Sequence, residues 1–257
     1  MSSSALLLQD KVAIVTGAAR GLGEAVARAY AAEGAKVVVA DIDLAGAQKV
    51  ADALPGAMAV ACDVRVPAQV EALVQAAVDR HGRLDIMVPN AGVARVAPLI
   101  ATSYEQWREV TSVNLDGVFL CIRYAAPAII AAGGGHILPM ASVTAKAACA
   151  LIGSYAAAKA GVVSLAQTAA IELRAHNVQV NAILPAFVET ELVKAHRSEF
   201  EQQLGIPDFD AVIAQRQGRY GTPDEVAQLA VFLASGRASF SNGSAYVLDG
   251  GVSSSLL

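Results

Sequence analysis

Tyr155 and Lys159 stand four positions apart in Tyr-Ala-Ala-Ala-Lys, and Ser142 lies thirteen positions before the tyrosine. On a helix, side chains at i and i+4 share one face. The three intervening alanines leave room for a ligand beside that face. The residue types suit proton transfer at an oxygen atom. A tyrosine with its ordinary pKa of ~10 is a poor base at neutral pH. An ammonium ~4 Å away supplies ~4 kcal/mol at an effective dielectric of ~20. The spacing therefore predicts a phenol whose pKa falls by up to about three units, before the cost of desolvation is subtracted. Such a phenol is a usable general acid or base, and the Ser142 hydroxyl can hydrogen-bond the substrate oxygen beside it. By itself, a Tyr-x-x-x-Lys pair is also what an ordinary amphipathic surface helix carries. Its meaning comes from its company.

The second group of residues is Thr16-Gly17-Ala18-Ala19-Arg20-Gly21-Leu22-Gly23, set between an apolar run and a helical pattern. Gly17 permits a tight turn, Gly21 lets the backbone approach a pyrophosphate, and Gly23 lets helix and strand pack closely. The helix that follows offers free N–H groups and the positive end of its dipole to an anion. The next apolar run, Lys-Val-Val-Val-Ala, ends at Asp41, followed by Ile42. A carboxylate there can accept hydrogen bonds from the ribose hydroxyls of NAD and repels the 2′-phosphate of NADP. Arg20 carries the charge that would meet such a phosphate, and an aspartate at a strand end also serves as a turn or cap residue. The expected cofactor is NAD(H) in preference to NADP(H). Asp63, followed by Val64, ends the third apolar run in the same way and can reach an adenine edge.

These residues need elements to position them. Short apolar runs alternate with longer helical patterns along the chain. Strands are predicted at Lys11 to Thr16, Lys36 to Ala40, Ala57 to Cys62, Leu84 to Val88, Gly135 to Met140, Val178 to Leu184 and Ala245 to Leu248. Helices are predicted at Glu24 to Glu33, Leu44 to Leu54, Pro67 to His81, Ser103 to Asn114, Gly117 to Ala132, Ser154 to Ala175 and Asp224 to Leu233. Strands this apolar, separated by helices, belong in a parallel sheet covered on both faces. The expectation is a single Rossmann-type, doubly wound α/β domain over residues 1–257, with about seven strands. Residues 1–9 are expected as a tail, and the polar stretch 189–219, marked by Gly205, Pro207 and Gly218, as a mobile lid that closes over the substrate, or else a plain surface loop.

Composition narrows the functional classes. Of 257 residues, 55% are hydrophobic and 16% charged, with a net charge of −4 and no basic run. A nucleic-acid partner is not expected on electrostatic grounds. Cys62, Cys121 and Cys149 are odd in number and widely spaced, as reduced core residues rather than a disulfide framework. The four histidines lack metal-ligand spacing, so no metal is expected. The apolar run near the N-terminus is too short for a signal core, and no stretch approaches the ~20 uninterrupted apolar residues of a span. A cytoplasmic protein with no membrane partner is expected.

Taken together, the chain resembles the classical short-chain dehydrogenase/reductase family over almost its whole length. Thr16 to Gly23 matches TGxxxGxG, Asp63 the aspartate after the third strand, and Asn90-Ala91-Gly92 the NAG segment lining the cofactor cleft. Pro185 to Thr190 is similar to the PGxxxT stretch beside the nicotinamide. The resemblance implies a catalytic tetrad of Asn114, Ser142, Tyr155 and Lys159. In it, Asn114 kinks a helix and holds a water in a proton relay, and Lys159 also contacts the nicotinamide ribose. It further implies that Val188 and Thr190 hold the carboxamide, and that the assembly is a homotetramer. The apolar circumference of the helices at Gly117 to Ala132 and Ser154 to Ala175, and the apolar end Val252 to Leu257, supply candidate interfaces. The chain departs from the pattern at Pro89, Ala141 and Ala186, the last replacing a glycine. The family's pocket walls fall on Ala94, Arg95, Val143, Thr144 and Phe187, mostly small or apolar, which suggests a hydrophobic or aromatic ketone or secondary alcohol. Arg95 or Lys146 could anchor a substrate carboxylate, but a charged residue beside a loop is usually a solvated one, and that is the reading favoured here. Two other readings are an NADP-dependent 3-oxoacyl-thioester reductase and a non-catalytic NAD-binding redox sensor.

Overall fold

The computed structural model describes residues 6–254. Six short strands form one parallel sheet in the order β3-β2-β1-β4-β5-β6. They are β1 (Val12–Thr16), β2 (Lys36–Asp41), β3 (Met58–Ala61), β4 (Ile86–Val88), β5 (Gly135–Ile137) and β6 (Val178–Val180). Every residue of β1 and β4 is buried, as expected of strands covered on both faces. Below the sheet, buried Asp85 accepts from the Val12 N–H at 2.9 Å and from Arg83 Nε at 2.9 Å, locking β1 to β4.

The expected strand Val178 to Leu184 is divided in two. Asn181 interrupts it because its buried amide faces sideways, donating to the Ser241 carbonyl at 2.8 Å and accepting from the Ser244 N–H at 3.1 Å. The second half, β7 (Ala182–Pro185), pairs in parallel with β8 (Ala245–Leu248). Backbone bonds from Ile183 N–H to Pro139 and from Ala141 N–H to Ile183 carry the pairing past the break. Thus β7 and β8 prolong the six-stranded sheet rather than adding one regular seventh strand.

Two apolar layers cover the sheet. One face packs against α3 (Pro67–His81), α5 (Gly117–Ala131) and α6 (Gly153–Leu173), through residues such as Leu73, Cys121, Ile129 and Val162. The other packs against α1 (Gly21–Ala32), α2 (Leu44–Asp52) and α9 (Pro223–Ala234), through Val26, Val50 and Val231. Fully buried Tyr30 ties α1 to α9 by donating to the Ala230 carbonyl at 3.1 Å. The helix α4 (Tyr104–Thr111), opened by a Ser103–Gln106 capping box, runs without a break into α5 through a π-turn at Ser112–Asp116. The joined run Tyr104–Ala131 is long and apolar enough by composition to cross a membrane. Here it packs on the sheet through Val118, Leu120, Cys121, Ala125 and Ile129.

Three expectations need correction. Residues 1–9 are not wholly a tail, since Leu8 is fully buried and its N–H donates to the Glu33 carbonyl at 2.9 Å. The stretch 189–219 is helical rather than a loop, forming α7 (Glu191–Leu204) and α8 (Phe209–Gln217). Thr190 and Asp208 cap their N-termini, while Gly205 (φ +63°) and Gly218 (φ +86°) end them, so the glycines that suggest a loop are helix stops. Cys149 is only half-buried, unlike Cys62 and Cys121. Of the apolar end Val252 to Leu257, residues 255–257 lie outside the described residues.

Candidate active site

A cleft of about 370 Å³ opens at the C-terminal ends of β1, β2 and β4, where the strand order reverses direction away from β1. Ligands bind at this switch point in open α/β sheets. Its first wall is backbone. Gly17 (φ +64°) turns the chain so tightly that a Cβ there would lie 2.6 Å from the Ala91 Cα, and a Cβ on Gly23 would lie 2.2 Å from the Gly17 oxygen. Gly21 (φ +61°) lines the cleft, and a Cβ built there would meet nothing closer than the Thr190 methyl at 3.8 Å. Thr16 Oγ accepts from the N–H groups of Asn90 and Ala91 at 3.0 and 3.2 Å, and Asn90 Nδ2 donates back to the carbonyls of Thr16 and Gly17. The glycine loop and the Asn90-Ala91-Gly92 segment are therefore one rigid unit. Gly17, Arg20, Gly21 and Leu22 line the cleft, whereas Gly23 lies behind it as a packing residue.

Asp41 closes the far end. Its carboxylate accepts from the Ala19 and Asp43 N–H groups, each at 3.0 Å, so the charge is fixed against the glycine loop. Arg20 and Ile42 are exposed beside it. Cys62, Asp63, Val64 and Arg65 continue the lining. The Asp63 carboxylate is gripped by Arg65, Nη2 to Oδ2 at 2.6 Å, and that guanidinium holds its pKa below the ordinary carboxylate range. An adenine would meet an ion pair here rather than a free carboxylate.

The third wall carries the reactive side chains. Ser142, Tyr155 and Lys159 all line the cleft, with Pro185, Ala186, Val188 and Thr190 opposite. Lys159 is 3% exposed, and its Nζ donates to the Met140 carbonyl at 2.7 Å while lying 5.5 Å from the centre of the Tyr155 ring. Burial pushes the lysine down to about 8. Burial likewise pushes the Tyr155 phenol up to about 12, with the Ser142 hydroxyl pulling it back. The expected ammonium-driven drop is thus corrected. Both charges are penalised by desolvation, and the ammonium spends a hydrogen bond on a carbonyl instead of the phenol oxygen.

Asn114 is wholly buried and sits inside the π-turn. Its Nδ2 donates to the carbonyls of Val93 and Val110 at 2.8 Å, and its Oδ1 is buried with no hydrogen-bond partner. A Cβ placed on Gly92 would be 2.8 Å from that oxygen and 3.8 Å from Lys159 Nζ, so only glycine fits between them. A backbone cradle open to a pyrophosphate, a fixed carboxylate at the ribose end and a buried acceptor beside Lys159 together fit a dinucleotide with a proton path behind it.

A family model described as enoyl-(acyl carrier protein) reductase matches residues 17–253. Over 251 residues the chain is 41% identical to galactitol 2-dehydrogenase of Agrobacterium fabrum, covering 95% of this chain and 98% of that protein. The chain belongs to the classical short-chain dehydrogenase/reductase family. It is also 40% identical over 250 residues to cyclohexanol dehydrogenase of an Acinetobacter species, covering 95% and 96%. The crystal structure of 3-ketoacyl-(acyl-carrier-protein) reductase from Brucella melitensis complexed with NADH superposes with a TM-score of 0.86 at 36% identity, covering 96% of this chain and 99% of that one. As a member of the short-chain dehydrogenase/reductases, this protein is an oxidoreductase acting on CH–OH groups with a nicotinamide cofactor.

Ala94, Val143, Thr144 and Phe187 are not among the residues that line this cleft, and Phe187 packs beside it in the cluster that includes Tyr155. Arg95 is paired with Glu109, through Nε and Nη2 at 3.0 and 2.5 Å, and its Nη1 donates to the Ala94 carbonyl at 3.1 Å. Beyond Tyr155, helices α7 and α8 close an apolar cluster. Phe200, Phe209, Ile213 and Ile152 are its buried members, with Phe187, Leu151 and Tyr155 packed against them. Phe209 stacks on Phe200 at 5.1 Å and meets Phe187 edge-on at 5.4 Å. Leu151 adopts φ +71°, a left-handed strain of about 1–2 kcal/mol, four residues before Tyr155. Ala186, by contrast, has ordinary negative φ. Met140, Glu191, Leu192 and Val193 line the cleft without having been singled out. The last three open a helix in a stretch read as loop, so only a Thr190 cap signal could have found them.

Proposed function

We propose that this protein is an NAD-dependent dehydrogenase/reductase that transfers a hydride between nicotinamide and a hydrophobic, alicyclic or aromatic, secondary alcohol or ketone. The observation that carries this reading is that one cleft is lined by Gly17, Gly21 and Asp41 at one end and by Ser142, Tyr155 and Lys159 at the other. Gly17, Arg20, Gly21, Leu22, Asp41 and Ile42 would hold the adenosine and pyrophosphate. Asn90, Ala91, Gly92, Lys159, Pro185, Val188 and Thr190 would hold the nicotinamide half. Bound there, the nicotinamide supplies the two-electron donor or acceptor.

The protein's own part is proton handling and exclusion of water. A phenol held near 12 keeps its proton at neutral pH. It is therefore a ready acid toward the far more basic oxygen that forms as a ketone is reduced. Ser142 hydrogen-bonds that oxygen and limits its charge. Lys159, anchored on Met140 and facing Asn114 Oδ1 across Gly92, leads the replacement proton from a water held at that buried acceptor. The apolar lid cluster and the Arg95–Glu109 pair support a neutral, apolar substrate over a carboxylate or polyol. The apolar faces that leave Phe119 and Ile171 exposed on α5 and α6 suit association as a homotetramer.

The second reading is a 3-oxoacyl-thioester reductase, favoured by the likeness to the Brucella protein. The cofactor does not separate the two readings, since that reductase is itself complexed with NADH. The deciding experiment is NADH and NADPH oxidation by the purified protein with cyclohexanone, a polyol-derived ketose and a 3-oxoacyl thioester. Turnover of the cyclic ketone with NADH supports the proposal. Preference for the thioester selects the second reading, and activity confined to NADPH overturns the role of Asp41.

A further inference from the structure

One buried amide fastens the lid to the nicotinamide side of the cleft. Gln217, the last residue of α8, is 7% exposed. Its Nε2 donates to the carbonyls of Phe187 and Arg219, both at 2.8 Å, and its Oε1 accepts from the Phe187 N–H at 3.1 Å. The side chain thus satisfies Phe187 in both directions, as a neighbouring strand would. The Phe187 carbonyl has a second donor in the Gly221 N–H at 3.0 Å, but among the described residues its N–H is satisfied by Gln217 alone. Phe187 lies between Ala186 and Val188, both of which line the cleft. At the opposite end of α8, Phe209 packs edge-on against the Phe187 ring. One nine-residue helix therefore grips this residue twice, by its ring at the first turn and by its backbone at the last.

We propose that Gln217 is a positioning residue that couples the lid helix α8 to the Pro185–Thr190 wall, so that lid closure and placement of the bound ligand are set together. The inference rests on the functional reading of that cleft given above. A leucine at 217 keeps the volume but leaves the Phe187 N–H buried and unpaired, a loss that is expensive away from water. A glutamate keeps the acceptor for Phe187 N–H, but its second oxygen can donate only when protonated, and then to one of the two carbonyls.

The test compares wild type, Gln217→Leu and Gln217→Glu. In Gln217→Leu the KM for a ketone should rise about tenfold or more with kcat changed less than about threefold, the size expected for one unpaired buried group. Trypsin should also cut faster within the lid, at Lys194, Arg197 or Arg216, a readout that needs no turnover. In Gln217→Glu the KM ratio to wild type should fall toward one as the pH is lowered into the carboxyl range. Unchanged KM and unchanged lid cleavage in Gln217→Leu overturn the coupling, as does a pH-independent defect in Gln217→Glu. If wild type turns over no ketone, the functional reading fails while the proteolysis comparison still decides the coupling.

Discussion

The two ends of the cleft are built from different materials. At the Gly17–Asp41 end the walls are mostly backbone, and hydrogen bonds tie short motifs together across the sheet: a glycine turn, a carboxylate at a strand end 22 residues on, and an asparagine 74 residues on. At the lid end the walls are side chains brought from far apart, Tyr155 and Leu151 meeting Phe187, Phe200 and Phe209. The backbone wall tolerates few substitutions and meets what all dinucleotides share, while the Asp41 carboxylate beside it is the group expected to discriminate among them. Side-chain walls can be exchanged without disturbing the sheet, and they choose the substrate. The first end should be sensitive in cofactor choice, the second in substrate KM.

The largest expected effect lies between the two. Tyr155→Phe should lower turnover by ~10²–10⁴-fold, the usual weight of general acid–base catalysis. NADH binding, followed by fluorescence, should change little, and retained turnover would remove the tyrosine from the mechanism. The pH profile comes next. With the phenol pushed up to about 12, its deprotonated fraction grows with pH throughout the accessible range. Alcohol oxidation, which uses the phenolate, should therefore climb by up to about tenfold per pH unit, while ketone reduction should not rise. Parallel profiles in the two directions would contradict that assignment.

Asp41→Ala probes the backbone end. Removing the fixed charge should shift the kcat/KM preference from NADH toward NADPH by about tenfold or more, equivalent to ~1.4 kcal/mol, without altering ketone KM. Phe209→Ala probes the other end. A buried phenylalanine lost from a core costs about 3–5 kcal/mol, here confined to the lid, so ketone KM should rise while the Kd for NADH stays within about threefold. A change in both constants would mean the ends are not independent. The smallest effect is predicted for Arg95→Ala. Because its guanidinium is spent on Glu109, the ratio of activities toward a keto acid and its methyl ester should be unchanged.

The parts legible in the sequence are those where a few adjacent residues settle a local geometry. Thr16 to Gly23, Asp41, and the Tyr155–Lys159 pair could be placed on a turn, a strand end and a helix face because their periods are short. The lid was less legible. Helix α7 is largely polar and buries only Phe200, and α8 spreads Phe209, Val212 and Ile213 around its circumference, so the one-sided apolar period that marks a helix is faint, while the stop signals at Gly205 and Gly218 stand out. Arg95 looked available because the Glu109 that occupies it comes from another element, fourteen residues on.

What the sequence determined by itself is the sheet-and-helix alternation, the glycine cradle and the identity of the groups able to move a proton, since these follow from local propensity and period. Only the tertiary structure decided how those groups are tuned. Burial, not the neighbouring ammonium, governs the Tyr155 phenol, while Lys159 is buried with its Nζ committed to the Met140 carbonyl. It likewise decided that Asn114 is left with a buried, unpaired acceptor beside Gly92, and that an ordinary glutamine at 217 clasps the wall of the site. Desolvation and hydrogen-bond partnership depend on what the fold brings alongside, and no spacing along the chain specifies that.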